Sequence, residues 1–276
     1  MQVQPFSLDV GPTIPLDEDP AVIFMALFTP QLLDHIVVET NRYATLCLTS
    51  THKGEGPPPT WQTDREEIKA YLGFAVLMGI NKEPDLYDYW STNELFHYFP
   101  VASRIPRKRF LELQRFLHFT DNDTVPSRGE PGYDWLAKVW QVIEMLHQSF
   151  LSSYSPHCEN SIDEAMVKFK GRSTQKQYMP KSLSNVASKC GYIADLDVYT
   201  CREDSTETNL GAKEVKKLSR PLVGGNYHLY FDNFFSSVSL FEDLVEDSLY
   251  ACGTFRKDRK GLLLAVKNTK LGMMLW

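Results

Sequence analysis

The sequence predicts a mixed α+β chain in which a mainly helical N-terminal region precedes a region of alternating strands and helices. Three observations carry this prediction. Apolar residues recur at helical spacing up to about residue 150, an alternating strand pattern spans 161–169, and a continuous apolar run closes on Asp232.

Taken in order, residues 1–20 are acidic and rich in Pro and Gly, and are expected to form a flexible tail. Thr63 followed by Glu66 fits a capping box, and Ile68, Tyr71, Leu72, Ala75 and Leu77 continue at near-helical spacing. Pro106 suits a first-turn position, opening a helix in which Phe110, Leu113 and Leu117 share a face. Leu136, Val139, Trp140, Ile143, Leu146 and Phe150 form a third apolar stripe, and loops are expected at 54–59 and 121–132. Beyond residue 155 the period changes. Ile162, Ala165, Val167 and Phe169 interleave with Asp163, Met166, Lys168 and Lys170, the pattern of a half-buried strand that sends Asp163 to the face opposite Ile162. Residues 191–199 read as a strand pair or one bent strand, and 210–218 as a short basic helix stopped by Pro221. Leu229, Tyr230 and Phe231 read as a central strand ending at Asp232 and Asn233, followed by a helix at 238–245 that Ser236 or Ser237 can cap. A strand at 250–255 closes the series. The expected organisation is therefore a tail at 1–20, a helical region at 21–155, an α/β core at 156–260 and a terminal stretch at 261–276.

Composition narrows the function classes. The 276 residues carry a net charge of −6 with 43% hydrophobic content, which fits an ordinary globular chain and not a disordered one. The longest apolar run, 71–80, falls short of the roughly 20 residues that span a bilayer, and no basic-then-apolar leader is present. No membrane association is expected, and an intracellular location is. Cys47, Cys158, Cys190, Cys201 and Cys252 show no Cys-x-x-Cys spacing, which argues for reduced thiols and against a zinc knuckle. Neither a nucleophile–His–acid arrangement nor a phosphate-cradling Gly-rich loop is visible.

Charge is unevenly spread. Arg104, Arg107, Lys108 and Arg109 form one cluster, Lys168, Lys170 and Arg172 fall beside Asp163, and Arg256, Lys257, Arg259 and Lys260 form another. Such clusters are either solvated faces or local phosphate-neutralising patches. Asp163 and Asp232 at strand ends have a similar pair of readings, as surface acids or as metal ligands. Two metal ions roughly 3.5–4 Å apart, flanked by carboxylates, drive in-line attack on a phosphodiester in nucleases and transposases of RNase H-like fold. Two aspartates on adjacent strands would supply part of that cage, and a third acid must come from later in the chain.

Several runs resemble the piggyBac transposases: Ile162-Asp163-Glu164 through Phe169-Lys170-Gly171-Arg172, Tyr230-Phe231-Asp232-Asn233-Phe234-Phe235-Ser236-Ser237, and Gly253-Thr254 with Arg256. Upstream, Glu39 to Ala44, Met78 to Lys82, Asp88 to Ser91, and Arg107 to Phe110 through Leu117 to Phe119 resemble the same family, closest to its domesticated, transposable element-derived members. The resemblance implies an RNase H-like core, incomplete here, in which Asp163 and Asp232 are the first two acids of an Asp-Asp-Asp site for Mg2+ or Mn2+. It further implies DNA as a partner, a nuclear location, and a helical N-terminal region that dimerises or binds DNA. Arg104, Arg107, Lys108, Arg109, Lys168, Lys170 and Arg172 are the expected DNA contacts. The family's third acid lies further downstream than Trp276, so the expected form is a truncated or splice-derived protein that binds DNA or dimerises without cut-and-paste transposition. The alternatives are a residual metal-dependent nuclease completed in trans by a full-length family member, with which it would heterodimerise, and an interaction fragment that does not bind DNA. Residues 182–188 look shorter and more polar than the strand the family places there, so the strand beside Asp163 is expected to be lost.

Overall fold

The computed structural model describes residues 4–15, 19–54, 56–93, 104–127, 129–134, 136–165, 183–188, 193–198, 210–256 and 261–262, with the backbone alone at 164–165, 183–188 and 194–198. In chain order the α-helices are α1 (Pro20–Leu27), α2 (Pro30–Thr51), α3 (Arg65–Ile80), α4 (Arg107–Phe116), α5 (Trp140–Ser153), α6 (Leu210–Leu218) and α7 (Val238–Glu246). The strands are β1 (Gly11–Pro12), β2 (Tyr154–Ser155), β3 (Glu159–Ala165), β4 (Leu183–Ser188), β5 (Ile193–Val198), β6 (His228–Phe231) and β7 (Tyr250–Gly253). The chain divides into a helical unit, Phe28–Leu146, and a sheet unit formed by Met1–Leu27 with His147–Trp276.

In the helical unit, α2 begins with Pro30 in its first turn, where the missing N–H costs nothing, and the Thr29 hydroxyl accepts the Leu32 N–H at 3.3 Å. It buries Leu32, Leu33, Ile36 and Ala44. The cap of α3 lies one residue later than expected. Thr63 is tied to Asn41 through its N–H (2.7 Å) and its carbonyl (2.9 Å), leaving Asp64 to take the extended conformation and accept the Glu67 N–H at 2.8 Å. Pro106 likewise precedes α4 and does not occupy its first turn. Phe74, Tyr89, Ile105 and Phe110 make one buried cluster, with Phe74 edge-on to Phe110 at 4.7 Å between centroids.

In the sheet unit the five-stranded order is β5-β4-β3-β6-β7, with β3–β4 and β4–β5 antiparallel and β3–β6 and β6–β7 parallel. This is the mixed sheet of an RNase H-like core. α6 and α7 contribute Val215, Leu218, Leu240 and Leu244 to a core shared with Ile162, Leu229 and Phe231, so one face of the sheet is buried beneath them. α7 is the crossover that the parallel β6–β7 pair requires.

Three expectations are corrected and one pair of alternatives is resolved. The strand beside β3 is present, since all six residues of β4 pair with β3 and the register runs from Asn160↔Ser188 to Ala165↔Leu183. An interior position with ladders on both sides overrides weak intrinsic β propensity. Of the two alternatives for 191–199, the described residues 193–198 form one strand, β5, with a register shift opposite Val186 and Ala187. β7 stops at Gly253, two residues early. Finally, residues 4–15 are packed on the sheet unit and are not a free tail. The Gln4 N–H donates to Tyr250 Oη at 2.8 Å, Phe6 sits edge-on to Tyr227 at 5.0 Å, and β1 pairs with β2. The division between units falls inside α5, so the end of that helix belongs with the sheet. The terminal stretch 263–276 lies outside the described residues. Among the described residues no single helix is long and apolar enough to cross a membrane.

Candidate functional site

β3 alternates as a half-buried strand must, with Asn160 and Ile162 buried and Ser161 and Asp163 exposed. Its parallel register with β6 pairs Asn160 with Leu229 and Ile162 with Phe231. Asp163 and Asp232 are the residues that follow this last registered pair. Neighbouring strands are about 4.8 Å apart, and Ile162 and Phe231 both belong to the helix-covered core. Asp163, exposed on the face opposite Ile162, and the exposed Asp232 thus both come at the carboxyl end of the parallel pair, where α/β sheets bind ligands.

Local chemistry holds Asp232 in place. Its Oδ1 accepts the Phe234 N–H at 2.8 Å, an Asx turn, and its carbonyl accepts the Ser236 hydroxyl at 2.8 Å. Ser237 then caps α7 by accepting the Leu240 N–H at 3.2 Å. Gly253 lies so close that a Cβ there would fall 2.7 Å from both the Phe231 carbonyl and Ser236 Oγ. Asn233 Oδ1 accepts Arg256 Nε at 3.0 Å, which brings a guanidinium to the same end of the sheet. As a site component Arg256 escaped the sequence reading, although its signal was present in the run from Gly253 to Arg256.

Among the described residues no three His, Cys, Asp or Glu side chains gather as a metal would require. Asp243 on α7 is engaged with Lys216 at 2.5 Å, and α7 packs on the opposite face through Leu240 and Leu244. Asp258 lies outside the described residues. Mg2+ wants near-octahedral oxygen ligation and dehydrates reluctantly. A two-metal site would need further ligands beside these two carboxylates.

The expected DNA contacts divide. Lys168, Lys170 and Arg172 lie outside the described residues. Arg104, Arg107 and Lys108 are exposed, Arg107 lying over the Tyr87 ring at 5.3 Å and Lys108 having 91% of its side chain exposed. Arg109 is placed differently. Its Nε donates to Glu67 Oε1 at 2.7 Å, its Nη2 donates to Glu67 Oε2 and the Gln62 carbonyl at 2.5 Å each, and the guanidinium lies 4.5 Å over Trp61. Its donors are spent inside the helical unit, so Arg109 is an internal anchor and not a phosphate ligand. The Arg109 guanidinium in turn holds the Glu67 carboxyl below its ordinary range. Cys47, Cys158 and Cys252 are free thiols, the last two pushed up by burial, while Cys190 and Cys201 lie outside the described residues.

The profile of the family described as transposase IS4 matches residues 19–271. Human PiggyBac transposable element-derived protein 3 is 27% identical over 252 residues, covering 87% of this chain and 40% of that protein. Human PiggyBac transposable element-derived protein 2 is 28% identical over 261 residues, with coverage of 87% and 40%. The cryo-EM structure of the piggyBac transposase synaptic complex with hairpin DNA matches with a TM-score of 0.79 at 25% identity, over 95% of this chain and 56% of that chain. The chain thus spans about 40% of the length of these two human relatives.

Proposed function

The chain belongs to the transposase IS4 family, in its piggyBac-type branch, and from that premise we propose that it is a transposase-derived DNA-binding protein that does not by itself cut and paste DNA. One observation carries the reading. Asp163 and Asp232 each follow the last registered pair of the parallel β3–β6 ladder, Ile162 and Phe231, and no group of three metal-ligating side chains occurs among the described residues. Two-metal phosphoryl transfer needs more carboxylate than that pair provides. Mg2+ or Mn2+ would be held there only with ligands supplied from elsewhere.

DNA binding is supported by the exposed Arg104, Arg107 and Lys108, and by the hairpin DNA of the matched synaptic complex. A dimer formed through the helical unit, and a nuclear location, accord with that role. The test is an excision assay with a donor plasmid, run beside fluorescence anisotropy on duplex DNA. Excision at the level of an Asp163→Ala control, together with binding that weakens steeply with salt, is expected. Excision above that control, or binding indifferent to salt, would refute the proposal.

The position of the two aspartates at the end of the parallel β3–β6 pair favours a second reading, a nuclease completed in trans by a full-length family member. It requires Mn2+-dependent nicking that appears only in the mixture and disappears with Asp163→Asn or Asp232→Asn in this chain. A mixture that nicks no better than the full-length partner alone removes it.

A further inference from the structure

α6 and α7 lie side by side in the sheet unit, and three contacts fix them in one direction. Gly211 at the start of α6 meets the backbone of Phe234 and Phe235 just before α7, where a Cβ would fall 3.0 Å from the Phe234 carbonyl. Midway, Lys216 Nζ lies 2.5 Å from Asp243 Oδ2. Beyond the end of α6, the Gly224 N–H donates to the Asp247 carbonyl at 2.9 Å. The inward rows, Val215 and Leu218 on α6 and Leu240 and Leu244 on α7, belong to the core. The outward rows carry opposite charge. α6 and the turn after it present Lys213, Lys216, Lys217 and Arg220, at the i, i+3, i+4, i+7 spacing of one helix face. α7 presents Glu242, Asp243, Glu246 and Asp247.

Neither row is what its own helix favours. Residues four apart on a helix are neighbours, so Lys213 with Lys217, Lys216 with Arg220, Glu242 with Glu246, and Asp243 with Asp247 are like-charge pairs that oppose helix formation. The acids of α7 also gather toward its last turn, which holds no basic residue, against the partial negative charge of a helix C-terminus. The Lys216–Asp243 pair offsets part of this repulsion within the chain, while Glu242, Glu246 and Asp247 stay exposed. Positive charge laid over α7 and negative charge laid over α6 would relieve both rows at once, and this surface itself carries both. A two-fold axis between the two helices and parallel to them sets each basic row against the acidic row of a facing copy, the same patch serving on both sides. A DNA duplex suits the surface less well, because the α7 acids beside the cations repel its phosphates.

We propose that α6 and α7 form a self-complementary docking surface for a second copy of this chain, with α6 of one protomer against α7 of its partner. This contact joins two sheet units and is separate from a dimer made through the helical unit. Charge complementarity sets its register and its rate of formation, so it is a salt-sensitive association.

The test is sedimentation velocity of the full chain. Self-association should weaken about tenfold or more between about 0.05 M and about 0.5 M NaCl. Two sets of charge reversals, all at exposed positions and sparing the Lys216–Asp243 pair, address the surface itself. Lys213→Glu, Lys217→Glu and Arg220→Glu together turn the α6 row acidic, and Glu242→Lys, Glu246→Lys and Asp247→Lys together turn the α7 row basic. Each triple variant alone should self-associate about tenfold or more weakly than the parent, because rows of like charge then meet. An equimolar mixture, with one variant fluorescently labelled, should restore association as a heterodimer of an acidic face with a basic one, which misfolded variants could not do. A parent chain that stays monomeric at about 0.1 mM would overturn the assignment. So would self-association unchanged in either triple variant, as a dimer through the helical unit alone would give, or a mixture that fails to associate. None of these readouts depends on DNA binding.

Discussion

Arg109 and Gly253 show how much a single position can carry. Arg109 joins Glu67, Gln62, Glu112 and the Trp61 ring, so truncation to Ala leaves a carboxylate and a carbonyl without their donor. The expected cost is about 2 kcal/mol, because charge-assisted bonds in a half-buried setting exceed the worth of exposed pairs. Urea unfolding of Arg109→Ala against the parent chain measures it. Glu67 adds a pH dependence. Its carboxyl is held below its ordinary value of 4.5, first by the hydrogen bond from Arg109. A depressed folded pKa contributes stability that is present above the unfolded value and lost as pH falls through the folded one. Glu67→Gln should therefore be less stable at neutral pH and should lose less between about pH 5 and pH 3 than the parent. Identical acid limbs would show that the ion pair is not linked to folding. At Gly253 a Cβ would meet the Phe231 carbonyl and Ser236 Oγ at 2.7 Å, and a backbone atom cannot swing aside as a long side chain can. Gly253→Ala should cost about 2–3 kcal/mol through overpacking. The turn holding Asp232 should also shift, visible as altered amide chemical shifts at residues 232–236.

Among the elements, those with strong periodicity were legible and those set by tertiary contact were not. α6 runs over 210–218 as its pattern indicates, and α7 over 238–246 where 238–245 was expected. β4 was illegible because Leu-Ser-Asn-Val-Ala-Ser has little to mark it as a strand; its neighbours β3 and β5 impose that conformation. The cap of α3 was misplaced by one residue because a local motif cannot show that Asn41, 22 positions away, already holds Thr63. Similarly, Arg109 read as one of four equivalent cations because its partners come from another helix and its approach. The positions of the two aspartates were legible, since period 2 gives the exposed face of Asp163 and the end of an apolar run gives the end of β6 just before Asp232. The cap correction yields its own prediction. Asp64→Ala should destabilise the helical unit by about 1 kcal/mol, and Thr63→Val should act through the lost hydroxyl bond to Glu67 and not through the cap, its backbone bonds to Asn41 being kept. Helix content and urea midpoints of the two variants separate these effects.

At the scale of the whole molecule, a net charge of −6 means that any grip on DNA depends on local cations overcoming a global repulsion. Each phosphate contact removed should lower the slope of log K against log salt by about 1. Arg107→Ala and Lys108→Ala are expected to do so, measured by anisotropy across a salt series, whereas Arg109→Ala should alter stability with little effect on the slope. The N-terminal segment belongs to the same scale, because it joins sequence-distant parts of one unit. Residues 4–13 touch Tyr250, Tyr227 and Ser153, which lie far away in the chain. Phe6 alone removes an aromatic side chain from water against Tyr227, and β1 with Thr13 adds backbone bonds, including Thr13 N–H to Ser153 O at 2.9 Å. Such a contribution is expected to be about 2–3 kcal/mol, since half-buried aromatic packing and a few hydrogen bonds each bring about 1 kcal/mol. Deleting residues 1–15 should therefore lower the unfolding midpoint of the sheet unit and leave that of the helical unit, Phe28–Leu146, unchanged. Hydrogen exchange resolved by residue decides the matter: protection lost at 227–231 and 249–253 but kept at 30–51 supports the assignment, whereas loss in both units, or in neither, excludes it.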